Sequence, residues 1–230
     1  MDPAELQRSY YKRTADAYDA MHIAPNDEHM LALGIVAAHI ERIEATSVLD
    51  TGCGTGRAMR YFRARFPDII VRGNDPSPEL YEASGLPAEL FDCVGSDELP
   101  YDDGQFDVVV ECGVLHHVAN PERIVGEMLR VAKQAVFLSD SNIYGDGRFG
   151  LLKYLLVRAR LWRSFNRLRR GGRDWYYSDG DGIAYSNSVF DSYRQVQQAS
   201  AAVHVIPLDG SGPARFGSRH VLLCGFKHPV

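Results

Sequence analysis

With 230 residues, 45% hydrophobic and 24% charged, the chain suits one compact domain and is too apolar for a disordered segment. No apolar run approaches the ~18 residues that span a bilayer, and the opening MDPAELQRSYYKRTADAYDA is too polar for a secretory leader, so a soluble, cytoplasmic protein is expected. The formal charge of -5 hides a split: nine of the 25 Lys and Arg, and no Asp or Glu, fall between Arg148 and Arg173 on an otherwise acidic body.

Apolar positions at helical spacing predict helices over residues 3–20 and 27–44, an N-terminal helical cap (1–44). Ser47 to Asp50 then reads as a strand, residues 52–56 as a glycine loop, and Arg57 to Phe66 as a helix stopped by Pro67. Asp68 to Asp75 is a second strand, Pro78 to Ser84 a short helix, Ala88 to Val94 a weaker third strand and Gln105 to Cys112 a fourth. Pro121 opens a helix through Lys133, and Gln134 to Asp140 is a fifth strand closing a core over 45–140. After it come a basic insertion (141–186) and a C-terminal part (187–230). That part holds a helix from Ser188 to Ser200 and strands at Ala202 to Leu208 and Arg219 to Phe226, joined through the loop Asp209 to Gly217.

Strands alternating with helices predict an α/β, Rossmann-like, doubly wound sheet. It is mostly parallel, with an antiparallel C-terminal hairpin and a helical insertion after the fifth strand. The four scattered cysteines form no CxxC pair and read as reduced thiols. The series Asp50-x-Gly52-x-Gly54-x-Gly56 lies between a strand and a helix, where glycines let backbone approach a ligand. Asp75 ends the next strand, where a carboxylate accepts hydrogen bonds from ribose hydroxyls. Asp50 would repel a pyrophosphate, and the spacing is GxGxG, so a cationic ligand fits better than a dinucleotide.

VLDTGCGTG, NDPSPEL and the stretch GSDELPYDDGQFDVVVECGVLHHVANPERIVGEMLRVAK resemble, in order, motifs of the class I S-adenosylmethionine-dependent methyltransferases. The resemblance covers roughly Val48 to Asp140 and implies S-adenosylmethionine as cofactor and methyl transfer to a small-molecule acceptor as activity. It places Gly52, Cys53, Gly54 and Gly56 along the methionyl part, Asp50 at its ammonium group, and Asp75, followed by Pro76, at the ribose. Ser96, Asp97 and Glu98 fall at the adenine. Glu111 departs from the small residue usual there and is taken to face the cofactor amine or the substrate. Tyr11 and Tyr18 resemble aromatic residues that close over the cofactor in the quinone-biosynthesis methyltransferases; as an alternative they pack the first helix on the sheet.

A hydroxyl acceptor needs a group to take its proton, and His116 and His117 follow the fourth strand where the methyl would emerge, with His117 preferred; a purely structural pair is the alternative. A metal at Cys112 and His116 lacks further ligands, so no metal is expected. On a helical wheel Lys153, Arg160, Arg163 and Arg167 share one face, opposite Leu151, Leu155, Leu161, Trp162, Phe165 and Leu168, with Arg158 inside the apolar arc. Such a helix suits a peripheral contact with an anionic membrane or a lipid-linked substrate, the phosphates of a nucleotide-linked acceptor, or plain solvation, and a sugar or lipid-linked acceptor would fit it. Asp174 to Gly182 reads as an aromatic loop. An RNA methyltransferase, a non-catalytic cofactor-binding partner protein and a nicotinamide dehydrogenase are the competing readings, and the acidic body disfavours nucleic acid.

Overall fold

Val108, Val109 and Val110 leave no polar residue for a solvent face, so their strand must be covered on both sides. The computed structural model, which describes residues 2–145, 153, 155–157, 159, 161–209 and 217–229, shows that cover. β1 (Ser47–Thr51), β2 (Ile70–Asn74), β3 (Phe91–Asp92), β4 (Phe106–Cys112), β5 (Ala132–Ser141), β8 (Ala202–Pro207) and β9 (His220–Phe226) form a seven-stranded sheet in the order β3-β2-β1-β4-β5-β9-β8. The first five strands run parallel, whereas β9 is antiparallel to both β5 and β8. This is the expected Rossmann-like sheet with its antiparallel hairpin.

On one face, α3 (Glu28–Arg42) and α4 (Arg57–Arg65) bury Leu33, Val36, Ile40 and Phe62 against Val48, Val108, Val110 and Phe137. On the other, α6 (Pro121–Val131) and α8 (Tyr193–Gln198) bury Val125, Met128 and Val196 against Leu49, Val109 and Leu138. Each such fully buried side chain contributes ~1.5–3 kcal/mol. Strand order reverses between β1 and β4, so their carboxyl ends splay apart and open a crevice there.

Several elements differ from expectation. The first helix, α1, stops at Thr14; a 3₁₀ turn (Ala15–Ala17) and the short α2 (Tyr18–His22) follow, because Asp19 turns in to bond Thr55 and Arg60. The third strand shrinks to Phe91–Asp92, since Ala88–Leu90 closes a 3₁₀ turn after Pro87. The helix expected from Ser188 begins as a 3₁₀ turn (Val189–Asp191) held by a Ser188–Asp191 capping box, and only then becomes α8. The aromatic loop is an antiparallel hairpin, β6 (Trp175–Ser178) and β7 (Gly182–Tyr185).

Of the expected cationic face, Lys153 and Arg167 fall among the residues whose side chains are described. Lys153 is buried with its ammonium 5.4 Å from the Trp162 ring centroid, while Leu168, on α7 (Trp162–Arg169), is 81% exposed. Arg169, Arg170 and Arg173 lie over Phe165, Tyr176 and Trp175, so cations and rings intermingle. Leu151, Arg158, Arg160 and most of the Asp209–Gly217 loop lie outside the described residues, as does the Arg163 side chain.

Candidate functional site

β1 delivers Asp50 to the crevice, and the chain then crosses a loop in which Gly52, Gly54 and Gly56 have φ of 70°, 53° and 80°. This left-handed region penalises any Cβ. At Gly52 the exclusion is also steric, because a Cβ would stand 2.4 Å from Val114 Cγ2. The Gly52 and Cys53 N–H groups donate to Asn74 O at 2.8 and 3.0 Å, so the loop hangs from the end of β2. One residue on, Asp75 accepts from Gly54 N–H at 3.0 Å and Ser77 N–H at 2.9 Å, and a carboxylate so bonded still has lone pairs to offer.

Asp50 and Asp75 are both buried. Burial pushes Asp50 up to about 7, with Arg57 opposing and Asp75 reinforcing the shift. Burial likewise pushes Asp75 up to about 6 against its two backbone donors. Two buried carboxylates facing one space favour a cation between them.

They face a cavity of about 530 Å³, within the range of small-molecule sites. Asp50, Gly52, Cys53 and Gly54 line it from β1 and its loop, Asp75 and Pro76 from the end of β2, and Ser96 and Asp97 from beyond β3. Tyr11 and Tyr18 line it from the N-terminal helices, and His117 from the turn after β4. Three expected cofactor residues do not line it, nor does His116. Glu98 is exposed, Gly56 serves as the left-handed N-cap of α4, and Glu111 is buried beside Asp140, accepting from Val114 N–H at 3.1 Å. Burial and Asp140 raise the Glu111 carboxyl well above the ordinary range.

Contacts from the N-terminal helices and from the β6–β7 hairpin hold the cover in place. Asp19 bonds Thr55 and Arg60, and Asp27 pairs with Arg57 at 2.9 Å, fastening the N-terminal helices to the glycine loop. Tyr10 OH donates to Gly180 O at 2.9 Å, Ile183 N–H donates to Gln7 Oε1 at 2.5 Å, and Arg13 donates to Tyr177 OH at 2.8 Å. Through these bonds α1 grips the β6–β7 hairpin.

A second cavity, of about 520 Å³, shares Tyr18, Arg57, Cys112, Gly113 and His117 with the first. Five of the chain's eight histidines line it: His22, His29, His116, His117 and His220. His117 donates from Nδ1 to Ile183 O at 2.6 Å, and His116 Nδ1 lies 2.8 Å from Asp140 Oδ1. Burial would lower His116, but Asp140 and Asp181 override it and raise it well above its ordinary value. Burial, aided by His116, pushes His117 down to about 4.

The family described as a methyltransferase domain matches residues 49–139, the segment that carries this loop, both carboxylates and both histidines. Residues 49–139 form a methyltransferase domain. Ajmaline N-methyltransferase from Rauvolfia serpentina is 32% identical over 109 residues, 44% of this chain and 37% of that protein. Malonyl-[acyl-carrier protein] O-methyltransferase from Herminiimonas arsenicoxydans is 32% identical over 133 residues, 58% of this chain and 49% of that one. The chain thus spans about half or less of these relatives' lengths. Among solved structures, magnesium protoporphyrin IX methyltransferase from Synechocystis PCC 6803 with bound SAM superposes with TM-score 0.64 at 14% identity, covering 99% of this chain and 98% of that one. The Burkholderia thailandensis 1,6-didemethyltoxoflavin-N1-methyltransferase gives 0.60 at 18% identity, covering 98% and 89%. At such identities the two superpositions establish the fold.

The methyltransferase domain supplies the floor of both cavities, and the residues that sequence reasoning missed lie outside it. Asp181, at the tip of the hairpin, places its carboxylate 3.4 Å from His116 Nε2 and 3.5 Å from His117 Nε2. Asp179-Gly180-Asp181 has the composition of a turn, a signal that could have marked the tip but not its partner. Tyr10 and Gln7 were indistinguishable from other polar positions of an amphipathic helix.

Proposed function

We propose that this methyltransferase domain binds S-adenosylmethionine and that the chain is an enzyme moving its methyl group to a small-molecule hydroxyl. One observation carries the reading: two buried carboxylates, Asp50 and Asp75, face one cavity from either side of a glycine loop shaped for close backbone approach. Asp50 suits the amine of the methionyl part, Asp75 with Pro76 the ribose, and Ser96 with Asp97 the adenine end. Bound there, the cofactor supplies a methyl already activated by a positively charged sulfur.

The chain's own residues then position and desolvate. Tyr11 and Tyr18 shield the cavity from water, and His117, on the wall common to both cavities, marks the acceptor side. An acceptor hydroxyl held on that side would be placed for in-line displacement at the methyl, with the electron pair of the broken carbon–sulfur bond going to sulfur and the hydroxyl proton to a basic group or water in the imidazole-lined cavity. An oxygen acceptor agrees with the malonyl-[acyl-carrier protein] O-methyltransferase match, whereas the ajmaline match argues for nitrogen.

Calorimetric titration with S-adenosylhomocysteine should show one site per chain. Asp75→Ala should weaken it ~10- to 100-fold, the scale of a lost charge-assisted hydrogen bond of ~1.5–3 kcal/mol. Unchanged binding rejects the ribose assignment. Methyl-labelled cofactor incubated with candidate alcohols and amines, followed by mass spectrometry of the product, identifies the atom methylated.

A further inference from the structure

The second cavity concentrates more imidazole than methyl transfer needs, and two of its histidines are arranged in a particular way. A carbonyl oxygen only accepts, so the bond to Ile183 O fixes the proton of His117 on Nδ1. Asp140, buried and also accepting from Leu115 N–H at 2.7 Å, engages His116 Nδ1. Both rings therefore present Nε2 to the same place, and Asp181 stands there. A backbone carbonyl behind one imidazole and a carboxylate behind the other is the outer-shell arrangement that orients metal-binding histidines.

The spacing agrees. Asp181 Oδ2 lies 3.4 Å from His116 Nε2 and Asp181 Oδ1 3.5 Å from His117 Nε2, each close to the ~3.3 Å that separates two ligand atoms about an ion with ~2.0–2.1 Å bonds. The three donor atoms all lie within 4.8 Å of one another. Asp181 is 44% exposed at its side chain, which gives an ion a route in from solvent. A second group of three, Glu28, His29 and His220, lines the same cavity, but His29 is backed only by the Ser139 hydroxyl.

We propose that His116, His117 and Asp181 bind a divalent first-row transition-metal ion, with Zn²⁺ as reference case. Imidazole and a single carboxylate suit such an ion better than Mg²⁺ or Ca²⁺. Three protein ligands leave a coordination position open. All three residues line the second cavity, and His117 also lines the first, so the site stands beside the cofactor cavity on the acceptor side that the proposed function assigns, a placement that rests on that reading. The ligand class it takes is a small molecule with an oxygen donor, such as a phenol or a hydroxyacid.

The test is calorimetric titration of the full chain with Zn²⁺ alone, repeated with Co²⁺ while its visible absorption is followed. One ion per chain is expected, with a Co²⁺ spectrum of tetrahedral type. Asp181→Asn should weaken binding roughly tenfold or more, the lower end of what even outer-shell changes cause, and His220→Gln should leave it unchanged. Circular dichroism of both variants verifies folding. Absence of saturable binding, binding indifferent to Asp181→Asn, or binding lost in His220→Gln instead would each overturn the proposal. S-adenosylhomocysteine titration of the same samples reads the cofactor site separately, so failure of one assignment leaves the other standing.

Discussion

A carboxyl raised to about 7, as at Asp50, is only half ionised near neutrality. Its contribution to stability is present at low pH and is lost as the pH rises through that value, because charge is then forced into a buried site. A cationic amine alongside reverses the preference and favours the ionised form. Affinity for S-adenosylhomocysteine, which carries that amine, should therefore rise from about pH 6 to about pH 8. Asp50→Asn should flatten the slope; calorimetry at the two pH values measures both. At this scale Asp50, Asp75 and the glycines could be read from residue type and spacing, since a loop between strand and helix leaves few other uses for them. Glu111 could not: its position at the end of β4 was right, but the pleat turns its side chain inward beside Asp140 and away from the cavity.

Among elements, the joint between α1 and the β6–β7 hairpin combines polar bonds with an edge contact between the Tyr10 and Tyr177 rings. Tyr10→Phe keeps the buried ring but removes the hydroxyl that bonds Gly180 O and His22 Nε2. The expected loss is about 1 kcal/mol of stability, together with weaker S-adenosylhomocysteine binding, because Tyr11 follows directly on the same helix. Thermal denaturation and titration of the variant check the two effects. Neither strand of this hairpin was legible beforehand. Each has four residues, too short for an alternation to register, and its partner surface is a helix some 170 residues away in sequence. The sheet strands were legible because Val108 to Val110 and Phe137-Leu138 are apolar on both faces and bounded by turn residues.

For the molecule as a whole, Asp107 joins three strands at the edge opposite the crevice. It accepts from Thr46 N–H at 2.8 Å, Thr46 Oγ1 at 2.7 Å and Gln134 Nε2 at 3.1 Å. Burial opposes ionisation there, but these donors and Lys133 prevail and hold the carboxyl down at about 2. The stability it provides is present above the ordinary carboxylate pKa of about 4 and is lost as the pH falls towards 2. Asp107→Asn should lower the melting temperature at neutral pH, costing about 1–3 kcal/mol, and make the acid limb below about pH 4 shallower; melting curves across that range decide it. The mostly parallel sheet with its antiparallel hairpin followed from the alternation of elements. The pairing of Asp181 with His116 and His117 did not, since it depends on how the insertion folds back over the sheet.

The grip of residues 7–13 on residues 177–183 gives the first helix and the distant hairpin a common fate. Fraying on either side takes the seam with it, so local opening of the first helix and of the hairpin tip forms a single cooperative event. A small molecule lodged beneath Tyr11 and Tyr18 then slows amide hydrogen exchange in both segments together, although they lie far apart in the chain.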